Sequence, residues 1–282
     1  MKSLKGVTSL IAMAAALTGL AAATAQAEDV LNIYNWSDYI AEDTISNFEK
    51  EFNVKVNYDV YDSNQVVEAK LLAGHSGYDI VVPTLADAQR LVKAGIFKKL
   101  DKSKLTNYGN LDPAILKQMA KYDPGNEHAV PYMWGTNGYG YNVDKVKELL
   151  GDDAPTDSWA LLFDPKYAKV LSKCGLTLLD DPGEMVDPVN FYLGNGDKPQ
   201  SKETIEAAMK QLEKIRPYVT YFNSSQYIND LANGNVCVSV GFSGDVFMAR
   251  DRADEANNGV HINYVIPKEG TLIWFDTMMI PA

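Results

Sequence analysis

The chain has 282 residues, 46% of them hydrophobic, with 37 acidic against 26 basic side chains and a formal net charge of −11. That length supports two domain-sized units. So acidic a surface opposes nucleic acid and anionic lipid and attracts cations.

Met1 to Lys5 carry two lysines and no acid, and Gly6 to Ala23 are almost wholly apolar and small. With Ala25-Gln26-Ala27 offering small residues for cleavage, the pattern predicts a signal peptide over residues 1–27 and a mature chain starting at Glu28. A membrane anchor is the rival reading, but the alanine-rich run is weakly apolar and no cysteine follows it to carry a lipid. Removing Lys2 and Lys5 takes the net charge to −13. No later apolar stretch approaches the roughly 20 residues that cross a bilayer, so the mature chain is expected to be soluble.

From there strand and helix signals alternate. Val30 to Trp36 reads as a strand, and Ile45, Phe48 and Phe52 recur at helical spacing behind the cap candidate Asp43. Val54, Val56, Tyr58 and Val60 alternate as in a half-buried strand. Ser63 is positioned to cap a helix through Leu72 that stops at Gly74. Tyr78 to Pro83 reads as a buried strand, and Ala86 to Ala94 as a helix ended by Gly95. This βαβα order predicts an α/β fold with a mostly parallel sheet flanked by helices.

Glycines punctuate aromatic and β residues between Asp123 and Tyr141, where a first crossing between two lobes is expected. Helices are predicted at Asp144 to Leu150 and Lys202 to Ile215, then a strand at Val236 to Phe242, a helix after Asp245, and a return crossing over Val260 to Pro267. The expected division is a first lobe over residues 28–134, a second over 135–262 and a return segment over 263–282. Leu272 to Ile280 is strand-like and stops at Pro281-Ala282 with no helix behind it, so the C-terminal part of the first lobe is expected to be missing.

Cys174 and Cys237 are the only cysteines. In an oxidising compartment they are read as a disulfide staple; a reactive thiol is the rival, though neither sits in a Cys-x-x-Cys unit or near a histidine in sequence.

Three segments join aromatic rings to a carboxylate and are read as following strands: Trp36-Ser37-Asp38-Tyr39, Phe242-Ser243-Gly244-Asp245 and Trp274-Phe275-Asp276. Ligands of open α/β sheets bind beyond the carboxyl ends of strands. An alkyl diamine needs carboxylates for its ammonium ends and flat rings for its methylenes and cations. Taken singly, each acid reads equally as a solvated charge, or, for Asp245, as a helix cap. Enzyme signals are weak. His75, His128 and His261 are isolated, no His-Glu-x-x-His or Gly-x-Ser-x-Gly occurs, and Glu184 lacks a nearby acid partner as a general base. The expectation is a non-enzyme without metal or cofactor.

Asn35-Trp36-Ser37-Asp38-Tyr39-Ile40, Gly77-Tyr78-Asp79-Ile80-Val81-Val82-Pro83, Pro131-Tyr132-Met133-Trp134-Gly135 and Ser224-Ser225-Gln226-Tyr227-Ile228-Asn229-Asp230 closely resemble the periplasmic polyamine-binding receptors of ABC importers, nearest to the putrescine-binding members. The resemblance spans the mature chain. It implies two hinged α/β lobes closing on the ligand, a periplasmic location, action as a monomer and docking on an inner-membrane permease. Asp245 and Asp276 would hold one ammonium, Ser37, Asp38 and Glu184 the other, with Trp36, Tyr39, Phe242 and Trp274 as ring walls. Thr84 stands where the family commonly has serine. Trp274 stands where Phe is frequent, and Asp181 where a small residue is frequent, departures that would suit a longer amine such as spermidine. The family's cysteine pair matches Cys174 and Cys237. A same-fold receptor for another cationic solute, or a polyamine-sensing signalling protein, remain the alternatives.

Overall fold

The computed structural model describes residues 29–282; the expected signal peptide lies outside them. In chain order the elements are β1 (Val30–Trp36), α1 (Thr44–Phe52), β2 (Lys55–Tyr61), α2 (Asn64–Leu72), β3 (Ile80–Val81), α3 (Leu85–Lys93), α4 (Pro113–Met119) and β4 (Ala129–Asn142). Then follow α5 (Val143–Leu150), α6 (Ala160–Phe163), α7 (Pro165–Leu171), β5 (Leu176–Leu178), α8 (Pro182–Tyr192), α9 (Lys202–Ile215), β6 (Tyr221–Phe222) and α10 (Gln226–Ala232). The last elements are β7 (Val238–Phe242), α11 (Ser243–Ala256), β8 (Ile262–Val265) and β9 (Ile273–Met279).

The strands lie in the order β2-β1-β3-β9-β4-β7-β5-β6, with β8 also paired to β4. β1 runs parallel to β2 and β3, as the βαβα alternation requires, and β5 runs parallel to β6 and β7. Between these flanks the pairing is antiparallel, because β4 is one long strand with different partners along its length. Its Ala129–Thr136 stretch pairs with β9, and its Asn137–Asn142 stretch with β7 and β8. Gly135, Gly138 and Gly140, which look like turn punctuation, therefore sit within a strand, and only Gly125 of that stretch lies in a turn before it. A Cβ on Gly138 would lie 2.3 Å from the Val265 carbonyl oxygen, so that position accepts only glycine if β8 is to pack as it does.

Two separate apolar clusters flank the sheet. One gathers Tyr34, Tyr61, Val67, Leu71, Leu85 and Phe275 from β1, β2, α2, α3 and β9. The other joins Tyr139, Trp159, Phe163, Leu178, Tyr227 and Val240 from β4, the α6 region, β5, α10 and β7. Burying each large side chain removes enough apolar area to stabilise by about 1.5–3 kcal/mol. Trp159 also donates its indole N–H to the Gly270 carbonyl at 2.9 Å, which fixes the segment leading into β9.

Local signals behave unevenly. The Ser63 hydroxyl accepts the Val66 N–H at the start of α2, and Gly74 and Gly95 take φ of +74° and +75° just beyond α2 and α3. Asp43 is not a backbone cap: its carboxylate accepts the Asn47 side-chain amide at 3.0 Å. The apolar face of α1 is not buried either; Phe52 is 56% exposed, and its ring packs on Phe48 at 4.6 Å. Cys174 and Cys237 form a disulfide, Cα–Cα 5.5 Å, joining the residues that precede β5 and β7.

Candidate functional site

β1 ends at Trp36, and the chain leaves the sheet through Asp38, whose φ of +52° an aspartate tolerates. The Trp36 indole N–H donates to the Val82 carbonyl at 2.8 Å and its ring packs on Tyr61 at 4.6 Å, while the Ser37 N–H donates to the Tyr61 carbonyl at 3.1 Å. Both residues are thus anchored to the sheet. Asp38 is exposed, and Tyr39 turns inward to donate its hydroxyl to Asp276 Oδ2 at 2.9 Å. Tyr132 steadies Tyr39, ring against ring at 5.7 Å, and donates its hydroxyl to the Tyr39 carbonyl.

Asp276 is only 6% exposed. It lies inside β9, not after a strand as the sequence reading has it. Strand alternation then explains the spacing: Trp274 and Asp276 share one face, and Phe275 points to the opposite, buried side. Thr84, just before α3, donates its hydroxyl to Asp276 Oδ1 at 2.7 Å; Asn64 in turn donates to that hydroxyl and accepts the Thr84 N–H, both at 3.1 Å. Burial pushes the Asp276 carboxyl up to about 6 against the two hydroxyl donors, and the Asp87 charge adds to the rise.

Asp245 lies in the first turn of α11. The alternative of a helix cap does not hold, because its side chain caps no N–H there; instead it accepts the hydroxyl of buried Tyr227 at 2.8 Å. Burial raises its carboxyl to about 6, opposed by the Tyr227 bond and reinforced by Asp38, with Arg252 lowering it least. The Tyr39 hydroxyl is raised by burial and then by the charges of both Asp276 and Asp245. Asp245 and Asp276, far apart in sequence, therefore both act on the Tyr39 hydroxyl, and Asp38 acts on Asp245.

The rings Phe242 and Trp274 meet edge to face, centroids 6.1 Å apart at 89°. Gly135 makes room for Trp274, since a Cβ there would stand 2.4 Å from its ring and 2.7 Å from Ser243 Oγ. Glu184 completes the set from the first turn of α8, where Asp181 caps the helix by accepting the Gly183 N–H at 2.7 Å and also takes the Gln65 side-chain amide at 3.1 Å. Burial raises the Glu184 carboxyl to about 7 against a hydrogen bond from the Asn137 amide, with Asp181, Asp87 and Asp187 raising it further.

Sequence reasoning missed Asp87, which has no aromatic neighbour in sequence, and the residues that aim the acids: Asn64, Tyr132, Asn137 and Tyr227. Among the described residues no ion pair involves Glu184, Asp245 or Asp276. Their donors are the neutral hydroxyls of Tyr39, Thr84 and Tyr227 and the Asn137 amide, so no basic side chain there offsets the cost of burying their charge. Among the described residues no helix is long and apolar enough to cross a membrane.

Residues 43–282 match the profile of the bacterial extracellular solute-binding proteins, and the chain belongs to that family. Over 271 residues it is 54% identical to a putrescine-binding periplasmic protein of Pseudomonas aeruginosa, a match covering 95% of this chain and 74% of that one. It is 51% identical over 272 residues to a putrescine-binding periplasmic protein of Escherichia coli, with 96% and 74% covered. Among solved structures, a putative spermidine/putrescine ABC transporter protein from Listeria monocytogenes superposes with a TM-score of 0.77 at 34% identity, covering 90% of this chain and 73% of that one.

Proposed function

We propose that this chain is a periplasmic receptor that captures putrescine or a closely related polyamine, without altering it, and delivers it to the permease of an ABC importer. The observation that carries the reading is Asp276: a buried carboxylate oriented by Tyr39 and Thr84, on the same strand face as Trp274, whose ring meets Phe242, and without a basic partner. An ammonium group placed there supplies the missing charge and donates strong charge-assisted hydrogen bonds to the carboxylate. The methylenes lie along Phe242 and Trp274, and the rings attract the cation.

In this reading residues 28–134 and 263–282 form one lobe and residues 135–262 the other, the receptor acts as a monomer, and residues 1–27 direct export. Asp38, Asp276 and Thr84 come from the first lobe, Asp245, Phe242 and Glu184 from the second, so a ligand touching both favours the closed form by its differential affinity. Asp181 beside Glu184, with the large ring of Trp274, favours accommodation of a longer amine such as spermidine as well. Calorimetric titration with putrescine, spermidine and glutamate tests the assignment. Saturable binding of at least one polyamine and none of glutamate is expected; no binding of either polyamine overturns it.

A further inference from the structure

Asn137 has no role in the reading above beyond its contact with Glu184, yet it is fully buried and sits where β4 changes partners. Its N–H donates to the Leu272 carbonyl at 3.2 Å, its carbonyl accepts the Thr271 hydroxyl, and its register partner across the sheet is Phe242. Side chains two apart on a strand share a face, as do directly paired residues on neighbouring strands. Gly135, over which the Trp274 ring lies, is two residues before Asn137, and Phe242 is opposite it. The Asn137 side chain therefore lies on the same face as the two rings, two residues along β4 from Tyr139 of the apolar cluster.

The amide has two ends with different fates. Nδ2 donates to Glu184 Oε2, while Oδ1 is buried with no hydrogen-bond partner. A buried polar atom left unmatched calls for an explanation, commonly a ligand or water that completes it. Glu184 cannot complete it as an anion, since a carboxylate has only acceptors. A group rich in donors can: an ammonium carries three N–H bonds and satisfies a carboxylate and an amide oxygen at once.

We infer that Asn137 is a specificity-determining residue that, with Glu184, reads the second ammonium of the bound amine, orienting the Glu184 carboxylate through Nδ2 and offering Oδ1 as a further acceptor. The inference rests on the polyamine reading and goes beyond it by assigning diamine discrimination to a residue buried within the sheet. Asp181, Asp187 and Asp87, the charged groups that face Glu184 from α8 and α3, are all acidic, so none of them duplicates the donor that Asn137 supplies.

The test compares dissociation constants of putrescine and 1-aminobutane, which shares the chain but has one ammonium, for the wild type and for Asn137→Leu and Asn137→Ala. Putrescine affinity is expected to fall at least tenfold in both variants, while 1-aminobutane, measured by competition, changes less than threefold. Equal losses for both amines, or no loss for either, overturn the inference. Should the variants not fold, the assigned Asn137 side-chain amide resonances of the wild type decide: they shift with putrescine and stay in place with 1-aminobutane, and identical responses to the two amines refute the role. A wild type that binds no polyamine defeats the functional reading instead, a result distinguishable from any of these.

Discussion

Asp276→Asn is predicted to make the empty protein more stable and the receptor weaker. The Asp276 carboxyl rises from an ordinary 3.8 to about 6 on folding, mainly through burial. A group raised in the folded state binds its proton more tightly there than in the unfolded chain, so stability is lost as pH rises from about 4 to about 6 and stays lost above. At 1.36 kcal/mol per pH unit the cost at neutral pH is about 3 kcal/mol. Asparagine removes the charge but keeps only one acceptor oxygen, so either the Tyr39 or the Thr84 hydroxyl loses its present partner, which costs about 1–2 kcal/mol. The net gain is about 1–2 kcal/mol, or roughly 2–8 °C in melting temperature at pH 7.5, and it fades below pH 5, where the aspartate is protonated. Loss of a buried charge-assisted contact weakens binding by about 2–3 kcal/mol, which raises the dissociation constant about 30- to 150-fold. Differential scanning calorimetry across pH 4.5–8, paired with titration of putrescine, reads both effects. A lower melting temperature with unchanged affinity would refute the reasoning.

Because Asp245 and Asp276 both titrate near 6, putrescine binding at pH 6 should expel protons; the observed heat then varies with the ionisation enthalpy of the buffer at pH 6 and much less at pH 8.5. Gly135→Ala forces the Trp274 ring from its seat, and putrescine affinity is expected to fall at least tenfold while the far-ultraviolet circular dichroism is retained. The disulfide closes a separation of 63 residues, so on the chain-entropy account the double Cys174→Ser, Cys237→Ser variant should lose about 4 kcal/mol in denaturant unfolding.

What the sequence reveals is mostly what is local. The cap at Ser63, the helix ends at Gly74 and Gly95, and α9 over Lys202–Ile215 each depend on neighbours within a few residues, and all are legible. Asp43 fails as a cap because its carboxylate is taken by Asn47 one turn on, an alternative that composition does not distinguish. The double pairing of β4 depends on strands far later in the chain, Val238–Phe242 and Ile273–Met279, and the glycines that permit it look like loop signals. At the site, aromatic-acid pairs flag Tyr39, Asp245 and Asp276, but the partners that orient them lie elsewhere: Thr84 is 192 positions from Asp276, and Glu184 is 47 from Asn137. Buried hydrogen-bond partners of that kind carry no periodicity, which is why Asn64, Asn137 and Tyr227 emerge only from the fold.

The most direct test is a crystal structure of the protein grown with putrescine. The account predicts one diamine with an ammonium nitrogen within about 3 Å of an Asp276 oxygen and its methylenes against Phe242 and Trp274. Putrescine ordered elsewhere, for example in the surface depression bordered by Lys145, Ser172 and Asn235, with Asp276 untouched, would contradict it.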